Sequence, residues 1–192
     1  MGRGIAQIAA QAGSTVKLFD TQAAALAQAI SAIGTQWDKL AEKNRITAEQ
    51  ATQYKANLQG VAQLSDLADC DLVIEAIVER LDVKRSLFSE LETIVKPTAV
   101  LATNTSSLSV TAIAAALQRP EQFAGYHFFN PVPLMKVVEV IAGLKTNPTI
   151  CQDLAAYAVQ MGHKAVQAQD TPGFIVNHAG RGYGTEALRI VS

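Results

Sequence analysis

His127 and Glu139, twelve positions apart, are the two residues of this chain whose types and surroundings best suit them to move a proton. Each is the one ionisable residue in an apolar run, "FAGYHF" for the histidine and "VVEVI" for the glutamate. Read as strands, both runs bury most of their side chains, and a buried charge without a partner is costly. The simplest arrangement makes each the other's partner, which marks the pair for acid–base chemistry. A carboxylate on one imidazole nitrogen fixes the tautomer and leaves the second nitrogen to take a proton. A buried histidine by itself is more often a satisfied core residue. Here Asn130, in the Asn-Pro that follows, and Ser106, in "NTSSL", add polar groups that a core would not need. The serines of that loop equally suit the N-cap of the next helix, a role that leaves Ser106 able to meet a ligand. His163 and His178 lack such company and read as surface or structural residues.

A second set of residues points to a nucleotide. The chain opens "MGRGIAQIAAQAG", a helix of small residues, and an acid, Asp20, closes the strand "TVKLFD" 18 positions after Gly2. This is the second half of a dinucleotide-binding fingerprint. Gly2 stands where the last glycine of G-x-G-x-x-G opens the helix, with Gly4 and Ala6 as small residues facing the sheet. Asp20 would accept the adenosine ribose hydroxyls and would disfavour a 2′-phosphate, hence NAD over NADP. An ordinary strand-end aspartate is the competing reading. In "VIEAIVERLDVK", Glu75 falls inside an apolar strand, and Glu79 and Lys84 lie where that strand feeds the next helix. Ligands of open α/β sheets sit at such carboxyl ends; a solvated charge cluster at a helix start is the alternative.

The elements that must position these residues alternate. Helices are expected over Gly2–Ala12, ending at Gly13, and over Thr21–Asn44 and Thr47–Leu58, the last two forming a helical hairpin after the Asp20 strand. An apolar strand over Asp71–Ile77 leads to a helix over Asp82–Val95, then to the strand "AVLAT" and the polar "NTSSLS". The strands "FAGYHF" and "KVVEVI" follow, then a helix over Pro148–Met161, the strand "KAVQAQ" and a last helix after "TPGF". This alternation predicts an α/β, doubly wound, mostly parallel sheet. Residues 1–172 are expected to form the dinucleotide-binding domain and 173–192 to open a further helical segment. The strand that precedes such a fingerprint is not in the sequence, so the sheet is expected to lack its central strand and Met1 to be internal to a longer parent. Trp37 and Tyr54 fit amphipathic-helix packing.

Composition narrows the partners. With 192 residues, 49% of them hydrophobic, and a formal net charge of -1, the chain can bury one sizeable core. The near-neutral balance leaves no electrostatic footprint for nucleic acid. Two distant cysteines, Cys70 and Cys151, and three scattered histidines give no metal-ligand spacing, so no metal is expected. No apolar run reaches the roughly 18–20 residues of a membrane span, and no signal peptide precedes the first helix. A cytoplasmic location is the expectation.

Three segments, "NTSSLSVTAIA", "FAGYHFFNPVPLMKVVEVI" and "DTPGFIVN", together with "DLVIEAIVERLDVK", closely resemble the NAD-binding domain of the L-3-hydroxyacyl-CoA dehydrogenases. The resemblance spans nearly the whole chain, and the HFFNP segment with its downstream glutamate is its most specific part. It implies a Rossmann-like fold, NAD as cofactor and reversible oxidation of a 3-hydroxyacyl-CoA thioester to the 3-oxo thioester. By the same resemblance His127 is the general base, and Glu139 orients it and stabilises the imidazolium. Ser106 and Asn177 contact the substrate, with Ser106 and Asn130 near the nicotinamide ribose. Gly2, Asp20, Glu79 and Lys84 fall in the cofactor site, and Lys43 falls near CoA. The resemblance further implies a homodimer formed through a C-terminal helical domain outside this sequence. Without the first strand and the glycine turn of the fingerprint, the 192 residues alone are expected to be inactive. After Asn177 the chain departs from the family, and Gly180, Gly182 and Gly184 each cost a helix about 1 kcal/mol relative to alanine. The competing functions are a non-catalytic scaffold on the same domain, as in the related lens crystallins, and a hydroxy-acid or sugar dehydrogenase. Keeping both His127 and Glu139 argues against the first, and the HFFNP segment against the second.

Overall fold

A computed structural model describes residues 1–191. Among these residues seven strands fall into two sheets. In the smaller, β1 (Val16–Phe19) pairs in parallel with β2 (Leu58–Val61). The larger has the order β3 (Leu72–Glu75), β4 (Val100–Thr103), β5 (Phe123–Phe128), β6 (Val137–Ala142), β7 (Lys164–Gln169). All its pairs are parallel except β5–β6. Among the described residues no ladder joins β1 to β3, so the strand layer is divided there.

The helices cover this layer for reasons legible in their residues. In α1 (Gly2–Gln11), Ile5, Ile8 and Ala9 form one apolar stripe that packs on the β5–β6 core, while Ala6 and Ala10 face the helical hairpin. Gly13, at φ +93, ends it in the left-handed region that glycine favours. The hairpin is α2 (Ala23–Glu42) and α3 (Ala48–Ala56), the latter opened by a reciprocal Thr47–Gln50 capping box. Trp37 is fully buried there, its ring 5.7 Å from that of Tyr54. Completing the set are α4 (Leu81–Ile94), the short α5 (Val110–Ala114), α6 (Pro148–Gln160) and α7 (Val176–Val191).

Every residue of β5 is buried, as expected of a strand covered on both faces. Gly125 has no alternative there, since a Cβ would lie 2.8 Å from Val110 and 2.9 Å from Ile141. One segment differs from the sequence expectation. The helix expected to run to Leu58 stops at Ala56, and Leu58–Val61 becomes β2; its exposed Gln59 and Gly60 carry no strand periodicity. The last helix falls where it was expected, and α7 runs through the glycines after Asn177 to Val191. His163 is 3% exposed, the structural of the two roles its sequence context allowed.

Candidate functional site

Register brings the two central residues together. In the antiparallel β5–β6 pair His127 lies directly opposite Glu139. Nδ1 of His127 is 2.7 Å from Oε2 of Glu139, and both side chains are buried. The other oxygen of Glu139 accepts the amides of Ile175 and Val176, each at 2.9 Å, so one carboxylate serves the imidazole and the first turn of α7. Phe129 and Phe174 pack on the imidazole, with ring centroids 4.5 and 5.7 Å away. Among the described residues Nε2 of His127 takes no hydrogen bond. A glycine makes the approach of α7 possible: at Gly173 (φ +79) a Cβ would lie 2.9 Å from the His178 amide.

The loop after β4 is tied to this pair from two sides. Asn104 Oδ1 accepts the amide of Phe128, next to His127. Asn177 donates from Nδ2 to the carbonyl of Ser106 at 3.0 Å. Ser106, Asn177, His127 and Glu139 thus belong to one connected group, with Asn130 exposed on the turn after β5 beside a cis Asn130–Pro131 bond.

Glu79 holds the same loop from below. Its Oε1 accepts the Thr105 hydroxyl at 2.6 Å and the Ser106 amide at 2.8 Å. Burial pushes the Glu79 carboxyl up, but the bonds from Thr105 and Ser106 and the charge of Lys84 outweigh it and hold the group below the usual glutamate range. Lys84 is buried, its side chain 1% exposed, with Nζ 2.5 Å from Glu75 and 3.4 Å from Glu79. Its reach to the site therefore runs through those two carboxylates. Glu75 also accepts the Ile77 amide and the Thr103 hydroxyl, so strand, loop and helix meet on one buried ion pair.

The residues expected to hold a cofactor lie at the carboxyl ends of the strands. Gly2 opens α1 beside Ala76, at the end of β3, where an added Cβ would lie 3.8 Å from the alanine's. The N-cap, Met1, makes no side-chain bond and the first turn carries no acid. Uncapped first-turn amides beside a small residue suit a pyrophosphate. Asp20 is exposed at the end of β1, with Oδ1 accepting the Gln22 amide. Among the described residues Oδ2 has no partner, which suits a ribose diol. These groups fit a dinucleotide. Lys43 stands apart, exposed at the C-cap of α2, in the turn that borders a surface depression of about 640 Å³. No hydrogen bond or ion pair links it to the His127 group among the described residues.

Sequence reasoning passed over Thr105 and Asp170. Thr105 is fully buried and takes Glu79; the signal was a threonine beside serines known to favour local bonds. Asp170, at the end of β7, accepts the Ser109 hydroxyl and the amides of Val110 and Thr111, fixing the start of α5. Burial pushes its carboxyl up, but those bonds outweigh it and hold the group below the usual aspartate range. Ser109, not Ser106 or Ser107, caps α5 through the Ala112 amide. No helix among the described residues is long and apolar enough to cross a membrane, and no group of metal-ligating residues occurs among them.

A doubly wound, mostly parallel α/β layer with an open helix start and a strand-end acid defines a Rossmann-like nucleotide-binding domain of the dehydrogenase class. The chain belongs to the family described as 3-hydroxyacyl-CoA dehydrogenase, NAD binding domain, which matches residues 1–171, and NAD is the cofactor of that domain. It is 44% identical over 189 residues to 3-hydroxyadipyl-CoA dehydrogenase of Escherichia coli K12, covering 98% of this chain and 40% of that protein. With the 3-hydroxybutyryl-CoA dehydrogenase of Bradyrhizobium diazoefficiens it shares 42% identity over 177 residues, 92% of this chain and 60% of the relative. The crystal structure of 3-hydroxybutyryl-CoA dehydrogenase from Escherichia coli K12 superposes with a TM-score of 0.96 at 44% identity, over 100% of this chain and 40% of that one. The chain thus spans about half the length of these relatives.

Proposed function

We propose that this domain is the cofactor-binding and proton-transferring part of an NAD-dependent L-3-hydroxyacyl-CoA dehydrogenase. The observation that carries the reading is the buried His127–Glu139 pair at 2.7 Å, with Nε2 of the imidazole left to accept. NAD supplies a hydride acceptor when bound. In the direction of oxidation, Nε2 of His127 takes the proton of the C3 hydroxyl as the C3 carbonyl forms. Glu139, hydrogen-bonded at Nδ1, fixes the tautomer and stabilises the imidazolium that results. Ser106 and Asn177, joined by a hydrogen bond in the same group, would hold the substrate oxygens. Asp20 and the first turn of α1 are suited to the adenosine ribose and the pyrophosphate, with Glu79 bracing the loop that carries Ser106. The substrate is a 3-hydroxyacyl-CoA thioester, in keeping with relatives named for hydroxybutyryl and hydroxyadipyl thioesters. A non-catalytic scaffold would have no use for a buried histidine held ready by a carboxylate.

The test is His127→Ala in the full-length protein, assayed by NADH absorbance with acetoacetyl-CoA. Turnover should fall by roughly 10²–10⁴, the contribution of a positioned general base, while NADH affinity changes little. Turnover close to that of the unmodified protein would refute the assignment.

A further inference from the structure

We infer that His163 is a positioning residue for this reaction: its ring holds the carbonyl of Val132 and so sets the 129–133 segment that carries Asn130 and follows His127. The inference rests on the reading of His127 given above. His163 is buried, with Nε2 3.0 Å from the Val132 carbonyl oxygen and Nδ1 3.1 Å from that of Met161. Both oxygens only accept, so a neutral ring can serve one of them. The Met161 contact is local, across the turn that ends α6 at Gly162. The Val132 contact crosses 31 positions and ties the end of α6 to the β5–β6 connection. A residue needed only for volume would not aim a donor at a buried carbonyl.

Val132 is where that connection meets the cofactor helix. It is 2% exposed, and its side chain lies so close under α1 that a Cβ at Gly4 would fall 2.9 Å from its Cβ. His163 therefore fixes the backbone of a residue whose side chain touches the first turn of α1. The ring also meets Phe128 edge-on, with centroids 5.8 Å apart and planes at 76°. Phe128 is held in turn by Asn104. His163 thus grips both ends of a five-residue stretch. Between those ends lie Phe129, packed on the His127 ring, and Asn130. A displaced Val132 carbonyl would move Phe129 against the base and the Val132 side chain against Gly4 of the cofactor helix, without His163 touching either ligand.

The experiment compares His163→Phe and His163→Gln in the full-length protein. Phenylalanine keeps the ring against Phe128 and loses the donor; glutamine keeps a donor and loses the ring. Amide hydrogen exchange is read over 128–136, and kcat and KM for NADH and acetoacetyl-CoA are read per folded molecule. With His163→Phe, exchange in 128–136 should rise and kcat should fall, each by about tenfold, the scale of one lost hydrogen bond. KM for NADH should move less than kcat, and His163→Gln should recover most of both losses. Unchanged exchange in 128–136 with His163→Phe would overturn the inference whatever the activity. Equal losses in both variants, with exchange raised throughout the domain, would reduce His163 to a packing residue. The reading of the site itself fails by a different result, full turnover in His127→Ala, which the exchange data do not affect.

Discussion

The amide of Val176 donates to Oε1 of Glu139 at 2.9 Å, while Oε2 of the same carboxylate meets the ring of His127. One buried group therefore orients the His127 ring, the proposed base, and anchors the helix that brings Asn177 to Ser106. An amide in its place has a single acceptor oxygen. In Glu139→Gln that oxygen can keep the α7 amides or the imidazole, not both. If it keeps α7, the NH2 group faces Nδ1 and drives the ring proton to Nε2, the atom required to accept. We expect kcat to fall by about 10²–10⁴, as when an orienting carboxylate is lost and the wrong tautomer results. Unchanged kcat would mean that Glu139 does not set the tautomer.

Lys84 and Glu75 form the second buried pair, and both side chains are 1% exposed. Removing one charge from such a pair strands the other. Lys84→Met should destabilise the domain by about 3–5 kcal/mol, read as a lower urea midpoint. Adding Glu75→Gln should recover part of the loss, because the remaining partners of that side chain, the Ile77 amide and the Thr103 hydroxyl, are neutral. A single variant as stable as the unmodified protein would show that the pair is not held away from water.

Much of this site could be read from residue types. His127 and Glu139 declared themselves because each was one charge in an apolar run, and burial leaves such a charge little choice but a partner. The spacing also put Gly2 at a helix start and Asp20 at a strand end, where the fold has them. What sequence could not supply was register and reach. Nothing in "NTSSL" says that Glu79 takes Thr105, since that contact depends on how β3 and β4 align. His163 looked ordinary because its partner, the Val132 carbonyl, belongs to a main chain whose path only the fold defines. The strand β2 escaped because four residues with two exposed positions carry no periodic signal.

Asp20 allows a prediction on cofactor choice. It is exposed at the end of β1, and a 2′-phosphate placed there would meet its negative charge. The full-length protein should use NADH far better than NADPH, and Asp20→Ala should narrow the ratio of the two kcat/KM values. Equal use of both cofactors by the unmodified protein would place Asp20 outside the ribose site.

Asp170 sets a pH dependence of stability. It accepts three hydrogen bonds at the start of α5, from the Ser109 hydroxyl and the Val110 and Thr111 amides, and these hold its carboxyl below the usual range despite burial. A folded-state value below the unfolded one means that the unfolded chain binds the proton first as pH falls. The stabilisation is therefore complete above the unfolded value, about 3.9 for aspartate. It is lost as pH drops from there through the lower folded value. Glu79, held low by Thr105, Ser106 and Lys84, adds a loss of the same sign. Melting temperature should be level near neutrality and fall through this acidic window. Asp170→Asn should lower stability at pH 7 by about 0.5–2 kcal/mol, the scale of a lost helix cap. As pH falls from about 3.9 through the lower folded value the two proteins should converge, because the unmodified Asp170 becomes neutral across that window. A difference between them that stays constant from pH 7 to pH 3 would show that the charge of Asp170 contributes nothing to holding α5.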